Sequence, residues 1–329
     1  MPSNPGVRAG GITRAGMIRP GHDGGSQRAF HPGQGEATRV PAPYRRAQGD
    51  PRETEMAGTS DSPITGEGLA AAMALIDAAD SVELKLTIPE SARWSTISAL
   101  DIDPLDAQMR QVYFLDTPDL VLDAHGVVVR ARRVQRRGDD SVVKLRPVVP
   151  AELPAALRKE RDFVVEVDAM PGGYVCSGSF KGSLPQPIVR ETAAGKHPLR
   201  KLFNKAQRRF FAEHAPEGIE LDDLTLLGPV SVMKLKFDPP ELARRLVAEV
   251  WVYPDGSRLL ELSTKCSSAE PFQVAAEARA FLAGRGIDVA GEHHTKTRTA
   301  LEFFTSGAGD AGADTTGHSA GGPAETAVR

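Results

Sequence analysis

Apolar and polar residues alternate with a period of two through most of the middle of the chain. In Ser81-Val82-Glu83-Leu84-Lys85-Leu86-Thr87-Ile88 the even positions are apolar and the odd ones polar or charged. This is the mark of a strand with one face on a core. Similar segments lie near 110–116, 126–137, 140–148, 158–169, 204–212, 226–238, 246–254 and 257–266. Gly138-Asp139-Asp140 and Pro254-Asp255-Gly256-Ser257 carry the turn chemistry of tight antiparallel reversals. Helical spacing is confined to Leu69–Ala79, a connection near 190–203, Glu270–Gly284 and Thr295–Phe304. So many evenly spaced strands predict a closed or nearly closed antiparallel β-barrel, an α+β fold that is mainly β, because closure removes exposed edges.

The charges on these strands recur two residues apart, so both members of a pair share a face. Arg130 and Arg132 form one pair, Lys144 and Arg146 another, Lys234 and Lys236 a third; Lys205 and Arg209 share a face four residues apart. Each pair interrupts a Val/Leu-rich run. On an ordinary wet face mixed signs are expected, whereas here basic pairs gather on some strands and acids on others. The acids are Glu83, Glu160, Glu166, Glu249 and Glu261; Glu83 shares a face with Lys85, Glu160 with Glu166, and Glu261 with Lys265. A strand bearing Glu83 and Lys85 between apolar residues needs a polar interior to point into. Carboxylates beside a bundle of cations repel an anionic substrate unless a cation intervenes, which predicts a hard divalent ion, Mg²⁺ or Mn²⁺. The adjacent His293 and His294, after a Gly-rich turn, are read as exposed residues rather than metal ligands.

Composition narrows the class. A net charge of −3 over 329 residues gives no global pull on nucleic acid, so anion binding has to be local. Two cysteines, Cys176 and Cys266, are too few for a disulfide framework or a paired zinc site. No apolar run approaches the roughly 18 residues of a membrane span, and the N-terminus has no signal-peptide core; a cytoplasmic protein without a membrane or nucleic-acid partner is expected. Residues 1–64 are rich in Gly, Pro, Arg and Ser, and no lysine precedes Lys85. Such a segment reads as a disordered tail, with Met56 as a candidate alternative start. Residues 306–329 read as a second tail, leaving one domain over 65–305.

These residues together resemble the CYTH family, the triphosphate tunnel metalloenzymes, whose relatives include adenylate cyclases and thiamine triphosphatases. The resemblance is carried by Val82-Glu83-Leu84-Lys85 in place of an opening Glu-x-Glu-x-Lys signature, Tyr113–Leu120 before the Arg130/Arg132 strand, Lys144-Leu145-Arg146, and Thr295–Leu301 as a lysine-bearing terminal helix. It covers roughly 80–305. It implies an eight-stranded antiparallel tunnel whose cationic wall grips a triphosphate and whose acidic wall holds one or two divalent ions. Carried over by position, Lys85, Arg130, Arg132, Lys144, Arg146, Arg209 and Lys234 or Lys236 are phosphate ligands, and Lys265 and Lys296 join them. Glu83, Glu166, Glu249 and Glu261 form the metal set, and Glu83 with Lys85 is the catalytic pair.

Two positions depart from the family pattern. Ser81 stands where the first acid is expected and Ser263 where a carboxylate should follow Glu261, which thins the metal-binding wall. The activity implied is metal-dependent hydrolysis of inorganic, nucleoside or thiamine triphosphate by a monomer or homodimer. The alternatives are nucleotide cyclisation and a polyphosphate or nucleotide sensor that does not cleave. Trp251 and Tyr253, which could stack on a base, are expected to pack on the terminal helix instead.

Overall fold

The computed structural model describes residues 66–288 and 296–306 of the chain. The expected tails, but for Ser306, fall outside those residues, as do Met56, His293 and His294. Among the described residues no helix is long and apolar enough to cross a membrane.

Nine strands are described: β1 (Ser81–Ile88), β2 (Gln108–Asp116), β3 (Val127–Val134), β4 (Asp139–Leu145), β5 (Phe163–Met170), β6 (Gly173–Leu184), β7 (Thr225–Phe237), β8 (Leu246–Val252) and β9 (Arg258–Cys266). Helices α1 (Gly66–Asp77), α2 (Arg93–Ala99), α3 (Val121–Ala124), α4 (Ala155–Arg158), α5 (Ile188–Ala193), α6 (Lys205–His214), α7 (Pro271–Gly284) and α8 (Lys296–Ser306) connect or cover them. The strands close into one barrel in the order β1-β5-β6-β4-β3-β2-β7-β8-β9. Neighbours run antiparallel except β1 and β5, which pair in parallel from Ser81↔Glu166 to Leu84↔Ala169. The barrel is therefore nine-stranded and mixed, where eight antiparallel strands were expected.

The extra strand, β6, hides its period-two signal under small residues. Gly178 and Gly182 stand on its outward side, and a Cβ on Gly178 would come within 2.8 Å of the Phe163 ring. The strand gives up side chains there so that neighbours can close over it. The segment 204–212, expected as a strand, is helix α6 instead. Asn204 and Gln207 form a reciprocal capping box, with the Asn204 side chain accepting from the Gln207 N–H and the Gln207 side chain from the Asn204 N–H, at 2.9 and 3.0 Å. Gln207 also donates to the Ser141 and Phe180 carbonyls at 3.1 and 3.3 Å, fastening the helix to the outside of β4 and β6.

Outward-facing apolar residues make the main core. Val82, Val129, Val143, Val165, Val167 and Phe180 pack with Leu202, Phe203, Phe210 and Phe211 from the segment that ends in α6. Phe163, Phe180 and Phe210 stack with ring centroids 5.3–5.6 Å apart, each fully buried ring contributing about 1.5–3 kcal/mol. A second cluster holds Leu86, Ile88, Leu260 and Leu262 against Leu100, Leu282 and Ile287. With the even positions of β1 committed to these clusters, its odd positions point inward.

The inner face is apolar in one part. Val112, Phe114, Val230, Val232, Trp251 and Tyr253 enclose Ala300 and Leu301 of α8, both buried. These strand residues alternate in phase with Arg110, Lys234 and Glu249, so the terminal helix packs into the barrel rather than onto it. Trp251 and Tyr253 pack on that helix, as their pattern suggested.

Candidate functional site

Strand register alone gathers the lumenal charges. Glu83 stands opposite Lys265, Lys85 opposite Ser263 and Thr87 opposite Glu261; Glu261 stands opposite Glu249, and Glu249 opposite Lys234. Across the barrel Arg132 faces Asp140, while Arg130 and Lys144 alternate with Val142 and Val128. On this inner face Lys and Arg outnumber Asp and Glu. A cavity of about 700 Å³, counted to its open mouth, is lined by Lys85, Arg130, Lys144, Arg146, Asp168, Glu261 and Lys296. Val128, Val142 and Met170 interleave with them, which lowers the local dielectric and strengthens every charge interaction inside.

Most of these cations have carboxylate partners. Lys85 lies 2.8 Å from Asp168 and 3.4 Å from Glu83, and Arg146 lies 3.6 Å from Asp168. Burial alone would raise the Asp168 pKa, but Lys85, Lys144 and Arg146 outweigh it and hold the carboxyl well below its ordinary range. Lys181, at 2.9 Å, and Lys265 both grip Glu166. Burial opposes ionisation there too, and the two lysines still bring the carboxyl down to about 2. Arg132 pairs with Asp140 through two bonds of 2.7 and 3.0 Å.

Arg130 and Lys144 differ. Among the described residues neither forms an ion pair, and the Arg130 Nε is buried without a hydrogen-bond partner. Burial, reinforced by Arg132, brings the Arg130 guanidinium down to about 10. Burial likewise lowers the Lys144 ammonium to about 8, with Asp168 opposing and Lys85, Arg146 and Arg130 adding to the shift. Part-buried cations that no carboxylate touches are costly. An anion in the lumen would relieve that cost.

The remaining acids meet one lysine. Lys296, the first residue of α8, places its Nζ 2.5 Å from Glu249 Oε2 and 2.6 Å from Glu261 Oε1. Burial would lower its pKa, yet Glu261 and Glu249 outweigh burial and raise it. Lys234 Nζ takes the other Glu249 oxygen at 2.6 Å, and Trp251 Nε1 donates to Oε2 at 3.3 Å. Glu249 is held far below its ordinary pKa: burial works against this, and Lys296 and Lys234 overcome it.

The expected site residues thus fall into groups. Lys85, Arg130, Lys144, Arg146 and Lys296 share the cavity with Glu261. Glu83 borders it, accepting from the Ser263 hydroxyl at 3.3 Å. Lys265 and Glu166 pair with each other; Lys236 shares the face of Lys234 but is exposed. Arg209 does not belong: it lies on the outer helix α6 and pairs with Glu160 at 2.9 Å. Glu160 sits before β5 begins, so it shares no strand face with Glu166. Asp168, Arg110 and Lys181 were not singled out from the sequence. Asp168 follows Glu166 by two and Arg110 precedes Val112 by two, the same spacing that revealed the cationic pairs; Lys181 was hidden with β6.

The donor set does not fit a divalent ion. Among the described residues no three Asp, Glu, His or Cys side chains converge as metal ligands. Ser81 and Ser263 add no charge, and the gap between Glu249 and Glu261 holds the Lys296 ammonium. The resemblance implied Mg²⁺ or Mn²⁺; these residues neutralise their acids with lysines.

No family model matches the chain, and no curated protein does. Among solved structures, a candidate adenylate cyclase from Bacillus halodurans is 15% identical over 66% of this chain and 96% of its own, with a TM-score of 0.46. A candidate adenylyl cyclase from Hippeastrum with a dominant triphosphatase activity is 17% identical over 68% and 95%, with a TM-score of 0.49. A candidate adenylate cyclase from Vibrio parahaemolyticus is 10% identical over 67% and 97%, with a TM-score of 0.36. At these levels the likeness does not extend to activity.

Proposed function

We propose that the lumen binds the triphosphate group of a small molecule: inorganic triphosphate, a nucleoside triphosphate or thiamine triphosphate. The observation that carries this is the pair Arg130 and Lys144, part-buried cations in no ion-pair contact among the described residues, set beside Arg146 and Lys85 in one cavity. A polyanion of about four charges supplies the missing counter-charge, and arginine forks match phosphate oxygens two at a time. The acids limit where it can bind: Glu249 and Glu261 lie to one side with Lys296, so the phosphates lie along the Lys144 side.

Hydrolysis is a second reading, favoured by Glu83. Its side chain is 22% exposed, against 9% for Glu249 and 6% for Glu261, and it stands beside Lys85. A carboxylate with room for a water next to a phosphate-binding lysine can orient that water and take its proton. Lys85, Arg130, Lys144 and Arg146 would then carry the charge spread over the transferring phosphoryl group and its leaving oxygen.

Calorimetry with inorganic triphosphate, ATP and thiamine triphosphate, run beside a phosphate-release assay, tests both readings. Wild type is expected to bind at least one of the three. Glu83→Gln is expected to keep that affinity within about threefold while losing at least about 100-fold in phosphate release, the usual range for a general base. Binding without release in wild type leaves a sensor; no binding by any of the three removes the triphosphate reading.

A further inference from the structure

We infer that Lys296 is a built-in counter-ion that fills the place a divalent cation would take between Glu249 and Glu261, so that this lumen binds triphosphate without a divalent metal. The inference rests on the triphosphate reading above and goes beyond it.

Three observations converge. First, the lysine is central to the carboxylate pair. Glu249 and Glu261 are direct cross-strand partners, and the Nζ touches both at 2.5 and 2.6 Å. Mg²⁺ needs oxygens about 2.0–2.1 Å away in near-octahedral array, and an ammonium in the gap excludes it. Second, the remaining oxygen of Glu249 is already held by Lys234, and the inward positions next to Glu261, Ser263 on its own strand and Thr87 opposite it, carry hydroxyls and not carboxylates. Third, the lysine is fixed in place. Ala300 and Leu301, just over one turn along the same helix, are 0% and 3% exposed inside the barrel. The Nζ lies 5.2 Å from the Trp251 ring centroid, a cation–π contact, and the Tyr253 hydroxyl donates to the Lys296 carbonyl at 3.4 Å. Moving the ammonium aside would leave the buried Glu261 without an ion-pair partner among the described residues and Glu249 with Lys234 alone, and breaking such a cluster is strongly unfavourable.

The chemistry follows from charge. A divalent ion on two carboxylates leaves a site near neutral that still attracts phosphate; one ammonium on the same pair leaves it short by one charge. The deficit is met by Lys234, bonded to Glu249 from the other side. Lysine thus stands in for metal in balancing the acidic wall, and no exchangeable ion is involved.

The test uses the full chain. Mn²⁺ is titrated into protein free of triphosphate and followed by electron paramagnetic resonance; inorganic triphosphate is titrated calorimetrically in chelator and again in Mg²⁺, corrected for the ion–triphosphate complex. Wild type is expected to bind no Mn²⁺ below about 1 mM, and to bind triphosphate with Kd values that agree within about threefold in the two buffers. Lys296→Met and Lys296→Gln are expected to bind Mn²⁺ at least about tenfold more tightly, and Mn²⁺ should raise their Tm and not that of wild type. Micromolar Mn²⁺ binding by wild type, or triphosphate binding seen only with metal, overturns the inference even if neither variant folds. Failure to bind triphosphate in either buffer removes the underlying reading instead, and the Mn²⁺ titration then judges Lys296 on its own.

Discussion

Lys144 is surrounded by one carboxylate, Asp168, and three cations, Lys85, Arg146 and Arg130. Its pKa of about 8, against 10.5 in an open chain, gives opposite trends for stability and binding. Between those values the unfolded chain holds more protons than the folded one, so the Lys144 contribution to stability grows as pH rises through the window. Triphosphate needs the ammonium, so affinity should fall above pH 8. Thermal melts and binding isotherms collected across the window should therefore diverge, and Lys144→Met should flatten both trends. At pH 7 the same variant should lose about 10–100-fold in triphosphate affinity, the worth of one charge-assisted hydrogen bond, without a loss of Tm. Asp168 presents the converse case. Asp168→Asn leaves Lys144 and Arg146 without their shared carboxylate and Lys85 with Glu83 alone, and should cost about 3–5 kcal/mol; added phosphate should recover more Tm in this variant than in wild type. A variant no less stable than wild type in dilute buffer would show that the three cations do not need that carboxylate.

At the scale of elements, the sequence was legible where alternation was clean and opaque where small residues broke it. The odd positions of β1 announced a polar interior because Val82, Leu84, Leu86 and Ile88 left no other choice. In β6 the outward positions include Gly178 and Gly182, which lie under Phe163 and Gln207. A strand that yields its side chains to its neighbours loses the pattern by which it is read. For α6 the error ran the other way: Lys205 and Arg209 share a face in either geometry, and what decides is the Asn204/Gln207 cap with Phe203, Gln207 and Phe210 at helical spacing. That misreading placed Arg209 in the lumen. Its place on the outer helix predicts that Arg209→Glu leaves triphosphate affinity unchanged within about twofold and costs at most about 1 kcal/mol in a chemical-denaturation series, the range of an exposed ion pair. A large affinity loss would return it to the binding wall. The terminal motif marks Lys296 but not its setting between Glu249 and Glu261, because that contact joins residues 35 and 47 positions apart and no local spacing encodes it.

For the whole molecule, what matters is where the barrel closes. The last strand, β9, pairs with the first, β1, along Val82↔Cys266 to Ile88↔Leu260. The interior is shut only when residues more than 170 positions apart in the chain have met. Such long-range pairing requires a large loop-closure entropy loss before any contact compensates it. Until then β1 has its parallel partner β5 on one side and an unpaired edge on the other. The molecule should refold slowly for its size, on the order of milliseconds to seconds, with mixing experiments showing Trp251 fluorescence arriving last. On the ribosome the consequence is sharper. With N-terminal segments emerging at about 5–20 residues per second, β1 is synthesised roughly 10–30 s before β9 exists to cover it, an open edge flanked by half-built lumen charges. During that interval a nascent chain of this protein exposes what chaperones bind, and any message truncated before Arg258, where β9 begins, encodes a sheet that cannot close.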